Sequence, residues 1–366
     1  MRRGEDWHMG ADTLSVFCLQ PHEFDPVTQP EPSNIRKAAR LSVAPMMDWT
    51  DRHCRYFHRL LSKETLLYTE MVTAPALVRG GAVHLLAYSP EEHPIALQLG
   101  GSDPAELAQA TKLGAAAGYD EINLNVGCPS DRVQSGTFGA ILMKQPQLVA
   151  DCVKAMQDAT DVEVTVKCRL GVDDQVASET LPRFLETVAA TGISRFTLHA
   201  RNAWLKGLSP KENRDIPPLD YDLVHRMKAE FPELHISING GIATLAEALP
   251  HLERGLDGVM IGRAAYHDPA SVLLDADRLI YGNEASATTA VGAVHAMLPY
   301  IESHLTSGGK LNQITRHMLG LFTGKPGARA WRRVLSENAS KPGVGPELLL
   351  EALAHVQAHS GTQAAE

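Results

Sequence analysis

The sequence predicts an α/β fold, a TIM (β/α)8 barrel, followed by a small C-terminal all-helical domain. Eight short apolar runs alternate with longer amphipathic stretches between about residues 41 and 263, which is the pattern of repeated βα units closing a parallel sheet. After about residue 277 the short runs cease and only helical spacing remains. Polar side chains also stand at the C-terminal tip of nearly every apolar run, the end of a barrel that carries its chemistry.

Taken in order, residues 1–38 are rich in Pro, Glu, Asp and Gln with no sustained periodicity, and read as a disordered N-terminal extension. The candidate strands are 41–46, 66–72, 95–100, 121–127, 162–169, 195–200, 235–240 and 258–263. Between them, Asp103-Pro104 opens a helical pattern over 105–117, another covers 147–157, and 243–254 shows the same spacing with Gly255 as its stop. A doubly wound sheet is the competing fold, but no strand is followed by GxGxxG and such sheets usually have fewer strands. The barrel is assigned to residues 39–277. A helical domain is assigned to 285–360, with helices expected at 293–304, 313–322, 328–337 and 346–358.

Composition narrows the function. With 366 residues, 44% hydrophobic and 21% charged, the chain has the make-up of an ordinary soluble protein. Its five cysteines are odd in number and lack CxxC spacing, which argues against a disulfide framework and a zinc site and for a reducing cytoplasm. No apolar run approaches a membrane span and no secretory leader is evident. The net charge of −9 argues against nucleic-acid binding on average. Between Lys310 and Lys341, however, seven basic residues face only Glu337, with Phe322 and Trp331 interleaved. That stretch reads equally as a grip for a polyanion or as a solvated helix face.

The fourth apolar run ends in Asn125-Val126-Gly127-Cys128-Pro129. A lone cysteine is ordinarily core packing, but Gly127 permits close approach, Pro129 ends the strand, and Ser135–Gly139 reads as a mobile loop leading into a helix. Cys128 is therefore the first catalytic candidate. Gln98, Asn125, Lys167, Arg169, His199, Arg201, Asn239 and Arg263 occupy the other strand ends and together describe a polar pocket. Alternation sends Lys167 and Arg169 to one face of their strand and Cys168 to the other, as packing. A lysine in a barrel mouth is costly unless it faces an anion, or a ring that gains negative charge on reduction. Asn239-Gly240-Gly241 and Gly262-Arg263 end the seventh and eighth strands, where barrels commonly bind phosphate.

These motifs resemble those of the tRNA-dihydrouridine synthase family, and within it the A-type subgroup. The resemblance runs from about Leu41 into the helical tail and is carried by Ala44-Pro45-Met46, Asn125-x-Gly127-Cys128-Pro129, Lys167, His199 and Asn239-Gly240-Gly241. It implies an FMN enzyme that uses NADPH to reduce the C5=C6 bond of D-loop uridines in tRNA, at positions 20 and 20a, with the helical domain helping to clamp the tRNA. By the same resemblance, Pro45, Met46 and Met47 line the flavin, Gln98 and Lys167 contact its ring, and His199 flanks it. Gly240, Gly241, Gly262 and Arg263 hold its phosphate, with Asn239 beside them. Hydride goes to C6, and Cys128 donates the proton to C5. Asn125 and Arg169 address the uracil or its neighbouring groups, while Arg201, Arg214, Arg329 and Arg332 are assigned to substrate tRNA.

An ordinary thiol, with a pKa near ~8.5, is mostly protonated at neutral pH and serves as an acid without an activating base. Without a dinucleotide fingerprint, NADPH is expected to reduce the flavin at the open site and leave before RNA binds. The chain is expected to be a cytoplasmic monomer with no metal and no membrane contact. Two rivals stand beside this reading. One is an FMN barrel acting on a free pyrimidine, for which the basic helical tail is superfluous; the other is a tRNA-binding flavoprotein without catalysis.

Overall fold

The structure is a computed structural model, and it describes residues 32–130, 138–286 and 288–363. Eight strands, β1 (Leu41–Val43), β2 (Leu66–Thr73), β3 (Ile95–Gly100), β4 (Glu121–Val126), β5 (Glu163–Arg169), β6 (Arg195–His199), β7 (His235–Asn239) and β8 (Gly258–Ile261), form a closed barrel in chain order. Neighbours are parallel, and the barrel closes where Leu41 to Val43 pair with Val259 to Ile261. Every expected strand is present. β1 is shorter than the apolar run that signals it, because Pro45 has no N–H for the ladder and the next N–H, that of Met46, is taken by Thr50 Oγ1 at 3.0 Å.

Alternation along each strand divides the core in two. On β4, Ile122, Leu124 and Val126 are fully buried in the main apolar cluster, while Glu121, Asn123 and Asn125 belong to the other face. A barrel interior is usually filled by branched apolar side chains, but here a file of hydrogen-bonded polar groups runs through it. At the base Arg195 is ion-paired with Glu121, which also accepts from Thr165 Oγ1 and, at 2.6 Å, from Tyr68 Oη. Asn123 Nδ2 donates to Thr165 Oγ1 at 2.7 Å, Gln98 Nε2 to Asn123 Oδ1 at 2.8 Å, and Asn125 Nδ2 to Gln98 Oε1 at 2.8 Å. The amides and hydroxyls of the file pair with one another by hydrogen bonds and the Arg195 charge is met by Glu121 and Glu163, which is the condition for such a file to be stable.

Helix α1 (Pro32–Ala38) closes the opposite end of the barrel from the chemistry. Ile35, Ala38 and Ala39 pack with Ala44, Leu66, Tyr68, Ala96 and Met260, and Arg36 reaches Glu163 at 3.0 Å and Ser194 at 2.8 Å. The expected extension over 1–38 is thus corrected at its C-terminal end: residues 32–38 are an ordered plug, too short for periodicity to reveal. Residues 1–31, Cys18 among them, lie outside the described residues, as does most of the loop expected at 135–139. Gly258 faces the plug so closely that a Cβ there would lie 2.2 Å from the Ala39 carbonyl oxygen.

The C-terminal region contains helices at Ala290–Thr306, Leu311–Thr315, Ala328–Asn338 and Glu347–Gln363. The helix expected over 313–322 ends early, at Thr315, and the chain continues in turns. Gly320 there packs against the barrel, with 2.3 Å between a hypothetical Cβ and the His267 carbonyl oxygen. The interleaved aromatics are not a surface grip. Phe322 and Trp331 are buried, meet edge to face at 5.0 Å, and Trp331 Nε1 donates to the Met318 carbonyl at 3.1 Å.

Asp51 joins the two parts of the molecule. It caps helix α2 (Arg52–Leu61), accepting from the His53 and Cys54 N–H groups at 3.0 Å, and also accepts from Arg316 at 2.6 Å and His317 Nε2 at 3.0 Å. Burial opposes its ionisation, but the hydrogen bonds from His317, Cys54 and Arg316, with the nearby charge, hold the carboxyl well below the usual range. Tyr56 stacks on Tyr300 at 4.0 Å beside this contact. Among the described residues, no helix is long and apolar enough to cross a membrane.

Candidate active site

The polar file ends at Cys128. Asn125 Oδ1 accepts from the Gly127 N–H at 3.1 Å and the Cys128 N–H at 3.0 Å, and the Cys128 carbonyl accepts from the Ala140 N–H at 2.9 Å. The thiol is therefore held by its backbone on both sides and is itself half-buried, while Cys54, Cys152 and Cys168 are fully buried packing residues. Gln98, whose two amide ends meet Asn123 and Asn125, has a fixed orientation. The protein does not itself require glycine at 127, since a Cβ there would meet the Cys168 backbone at an ordinary 3.5 Å.

Next to Cys128 on β5 stand two cations. Arg169 Nε donates to the Gly127 carbonyl at 3.2 Å and an Nη to the Asn213 carbonyl at 3.0 Å. Burial, with Arg214 and Arg201 nearby, lowers its pKa to about 10 against the opposing influence of Cys128. Lys167 has no hydrogen bond or ion pair among the described residues, and burial, reinforced by Arg169, lowers its pKa to about 8. His199, buried on β6, is pushed well below the ordinary imidazole value by burial and then by Arg169, Lys167 and Arg201, and its buried Nδ1 has no hydrogen-bond partner among the described residues. The mouth thus holds a neutral imidazole and a half-buried cation with no ion pair among the described residues, an arrangement that favours an electron-rich or anionic guest.

The ends of β7, β8 and β1 complete the rim. Asn239 Nδ2 donates to the Met260 carbonyl at 2.8 Å. Gly240 and Gly241 have φ of 113° and 76°, values strained for other residues, and a Cβ on Gly240 would approach the His199 ring to 3.2 Å. Pro45 and Met46 are half-buried, and Met47 is 56% exposed. A Cβ on Gly262 would have the Met46 sulfur 3.8 Å away, so the first and last strand ends meet across the barrel seam. Arg263, expected to face a phosphate, pairs with Asp215 at 2.8 Å. Arg201 donates to the Pro217 carbonyl, and its buried Nε has no hydrogen-bond partner among the described residues.

Three of the remaining candidates are exposed: Arg214 lies in the turn Glu212–Arg214, and Arg329 and Arg332 lie on the helix Ala328–Asn338. No hydrogen bond or ion pair joins the last two to the mouth residues among the described residues. Sequence reasoning missed Glu70 and Asn213. Glu70 sits where β2 shifts register against β3 and accepts from the N–H of Asp48, a non-glycine residue at φ 64°; its carboxyl pKa is raised by burial. The rule that singled out Gln98 and Asn125, a polar residue at a strand end, also covers Glu70. Asn213 carries no such signal. Among the described residues, no group of three or more His, Cys, Asp or Glu side chains is placed to hold a metal ion.

The sequence profile of the dihydrouridine synthase family matches residues 42–357. A tRNA-dihydrouridine(20/20a) synthase of Escherichia coli strain K12 is 60% identical over 325 residues, covering 88% of this chain and 93% of that relative. Another tRNA-dihydrouridine(20/20a) synthase, from Vibrio cholerae, is 58% identical over 320 residues, covering 87% and 97%. Among solved structures, a 2-naphthoyl-CoA reductase complex shares the fold alone, with a TM-score of 0.50 and 12% identity over 67% of this chain and 50% of that one.

Proposed function

The chain belongs to the dihydrouridine synthase family, and from that premise we propose that it is a tRNA-dihydrouridine synthase. It reduces the C5=C6 bond of D-loop uridines at positions 20 and 20a, with FMN as bound cofactor and NADPH as reductant. The observation that carries the reading is Cys128, half-buried at the tip of β4, with its backbone held by Asn125 and the Arg169 guanidinium beside it.

The residues at the mouth fit an FMN. Among the described residues the half-buried Lys167 has no hydrogen bond or ion pair and the His199 Nδ1 has no hydrogen-bond partner, and Gly240-Gly241 keeps side chains away from the His199 ring. Pro45, Met46 and Met47 would line the isoalloxazine, with Gln98, Lys167 and His199 against it. Asn239, Gly240, Gly241, Gly262 and Arg263 would hold the phosphate end, which requires Arg263 to exchange or share Asp215. When bound and reduced by NADPH, FMN supplies hydride to C6 of the uracil.

The rest of the chemistry belongs to side chains. Cys128 Sγ–H protonates C5, and Asn125 fixes the backbone that presents the thiol. Arg169 donates toward the uracil or its neighbouring groups, and the Lys167 charge offsets negative charge gained at the site. The target base must leave its stack, which costs a few kcal/mol and is least in a loop. Arg201, Arg214, Arg329 and Arg332 supply phosphate contacts. The reading includes a cytoplasmic monomer that needs no metal; the free thiols suit a reducing compartment.

Changing Cys128 to Ala is expected to leave NADPH reduction of the flavin intact and to abolish dihydrouridine in the product tRNA, measured by nucleoside mass spectrometry. Full product yield at an unchanged rate would refute the acid assignment.

A further inference from the structure

The chain between β6 and the helix Tyr221–Glu230 has a single helical turn, Glu212–Arg214. It carries a large aromatic in an unusual setting. Trp204 is 38% exposed, while its neighbours Ala203 and Leu205 are buried. Its backbone is held on both sides by one fully buried residue: Asn213 Oδ1 accepts from the Trp204 N–H at 2.7 Å, and Asn213 Nδ2 donates to the Trp204 carbonyl at 2.8 Å. The same Asn213 accepts at its own carbonyl from Arg169, which also holds the Gly127 carbonyl. A short relay of hydrogen bonds thus connects Trp204 to the loop that presents Cys128. A second lock comes from the segment after β5, where the Ala203 N–H donates to the Gly171 carbonyl at 2.9 Å and the Leu205 N–H to Asp173 Oδ1 at 2.9 Å.

The acids of this region are spent on building it. Asp173 pairs with Lys144 at 2.6 Å, Glu212 accepts from the Ser209 N–H at 2.8 Å, and Asp215 pairs with Arg263 at 2.8 Å. Lys206 and Lys211, by contrast, are exposed and have no ion pair among the described residues. An exposed indole on an anchored stretch of backbone, with unpaired ammonium groups near it in the chain, is what a single-stranded polyanion with stacking bases requires.

We propose that Trp204 is a stacking surface for a tRNA base adjacent to the reduced uridine, that Lys206 and Lys211 take the neighbouring phosphates, and that Asn213 is the positioning residue that aims the ring. The proposal rests on the tRNA-reducing activity put forward above and assigns it a substrate contact.

The test uses the flavin-loaded enzyme with unmodified tRNA. Trp204→Ala is expected to raise the KM for tRNA on the order of tenfold, the loss of one stacked base, with kcat at saturating tRNA within about twofold of wild type. Trp204→Phe, which keeps a ring, restores the KM. Protein tryptophan fluorescence quenched by tRNA in wild type should lose that component in Trp204→Phe, a readout that also serves if the Ala variant fails to fold. An unchanged KM in Trp204→Ala, the same quench in Trp204→Phe, or a rise in the KM for NADPH in place of that for tRNA would overturn the assignment. A wild-type enzyme that forms no dihydrouridine would overturn the activity itself, a result separate from these.

Discussion

Lys167 is held in the barrel mouth at a cost. Its pKa falls from 10.5 in the unfolded chain to about 8, so between those values the unfolded state binds more protons and stability rises with pH. Below pH 8 both states are charged and the full penalty for burying the ammonium applies. Lys167→Met in the flavin-free protein is therefore expected to raise the melting temperature at pH 7, reflecting on the order of 1–3 kcal/mol, and the gain should disappear above about pH 10. A melting temperature at pH 7 no higher than wild type would contradict the idea that this cation is kept for a guest. The sequence made Lys167 legible because strand alternation and a known barrel end locate it. Asn213 was illegible because its value lies in four hydrogen bonds across a loop, and nothing in Lys211-Glu-Asn-Arg214 announces them.

At the scale of elements, the strands were legible because each is a short apolar run bounded by turn residues, whereas α1 offered only seven residues. What fixes α1 is tertiary: it packs under the barrel, and the contact between Gly258 and the Ala39 carbonyl has no room for a methyl group. Gly258→Ala must push the plug away or distort β8. Overpacking of this kind costs about 1–3 kcal/mol, so the urea midpoint is expected to fall with an unchanged slope; an unaltered midpoint would mean that the plug is not tightly seated. The helix expected through Phe322 failed for a similar reason. Its spacing is helical, but Gly320 is placed against the His267 carbonyl and Phe322 against Trp331, so packing takes over from local periodicity.

For the molecule as a whole, the proposed grip on tRNA calls for the helical domain to be held relative to the barrel mouth, and Asp51 bonds to groups of both. Because its pKa is lowered on folding, its contribution is complete above the ordinary carboxylate range and is lost only in strong acid, so the Asp51 carboxylate stays ionised at neutral pH. Asp51→Asn removes the charge shared by Arg316 and His317. It is expected to raise the KM for tRNA several-fold and to speed proteolytic cleavage between the two parts, with the rate of flavin reduction by NADPH unchanged; equal proteolysis and equal KM would show that other contacts suffice.

The most direct test of the central claim is the visible spectrum of the purified protein, followed anaerobically through addition of NADPH and then of unmodified tRNA. The expected result is flavin absorbance that bleaches with NADPH and returns only with tRNA. A protein that takes up no FMN, or a reduced flavin that ignores tRNA, would contradict it.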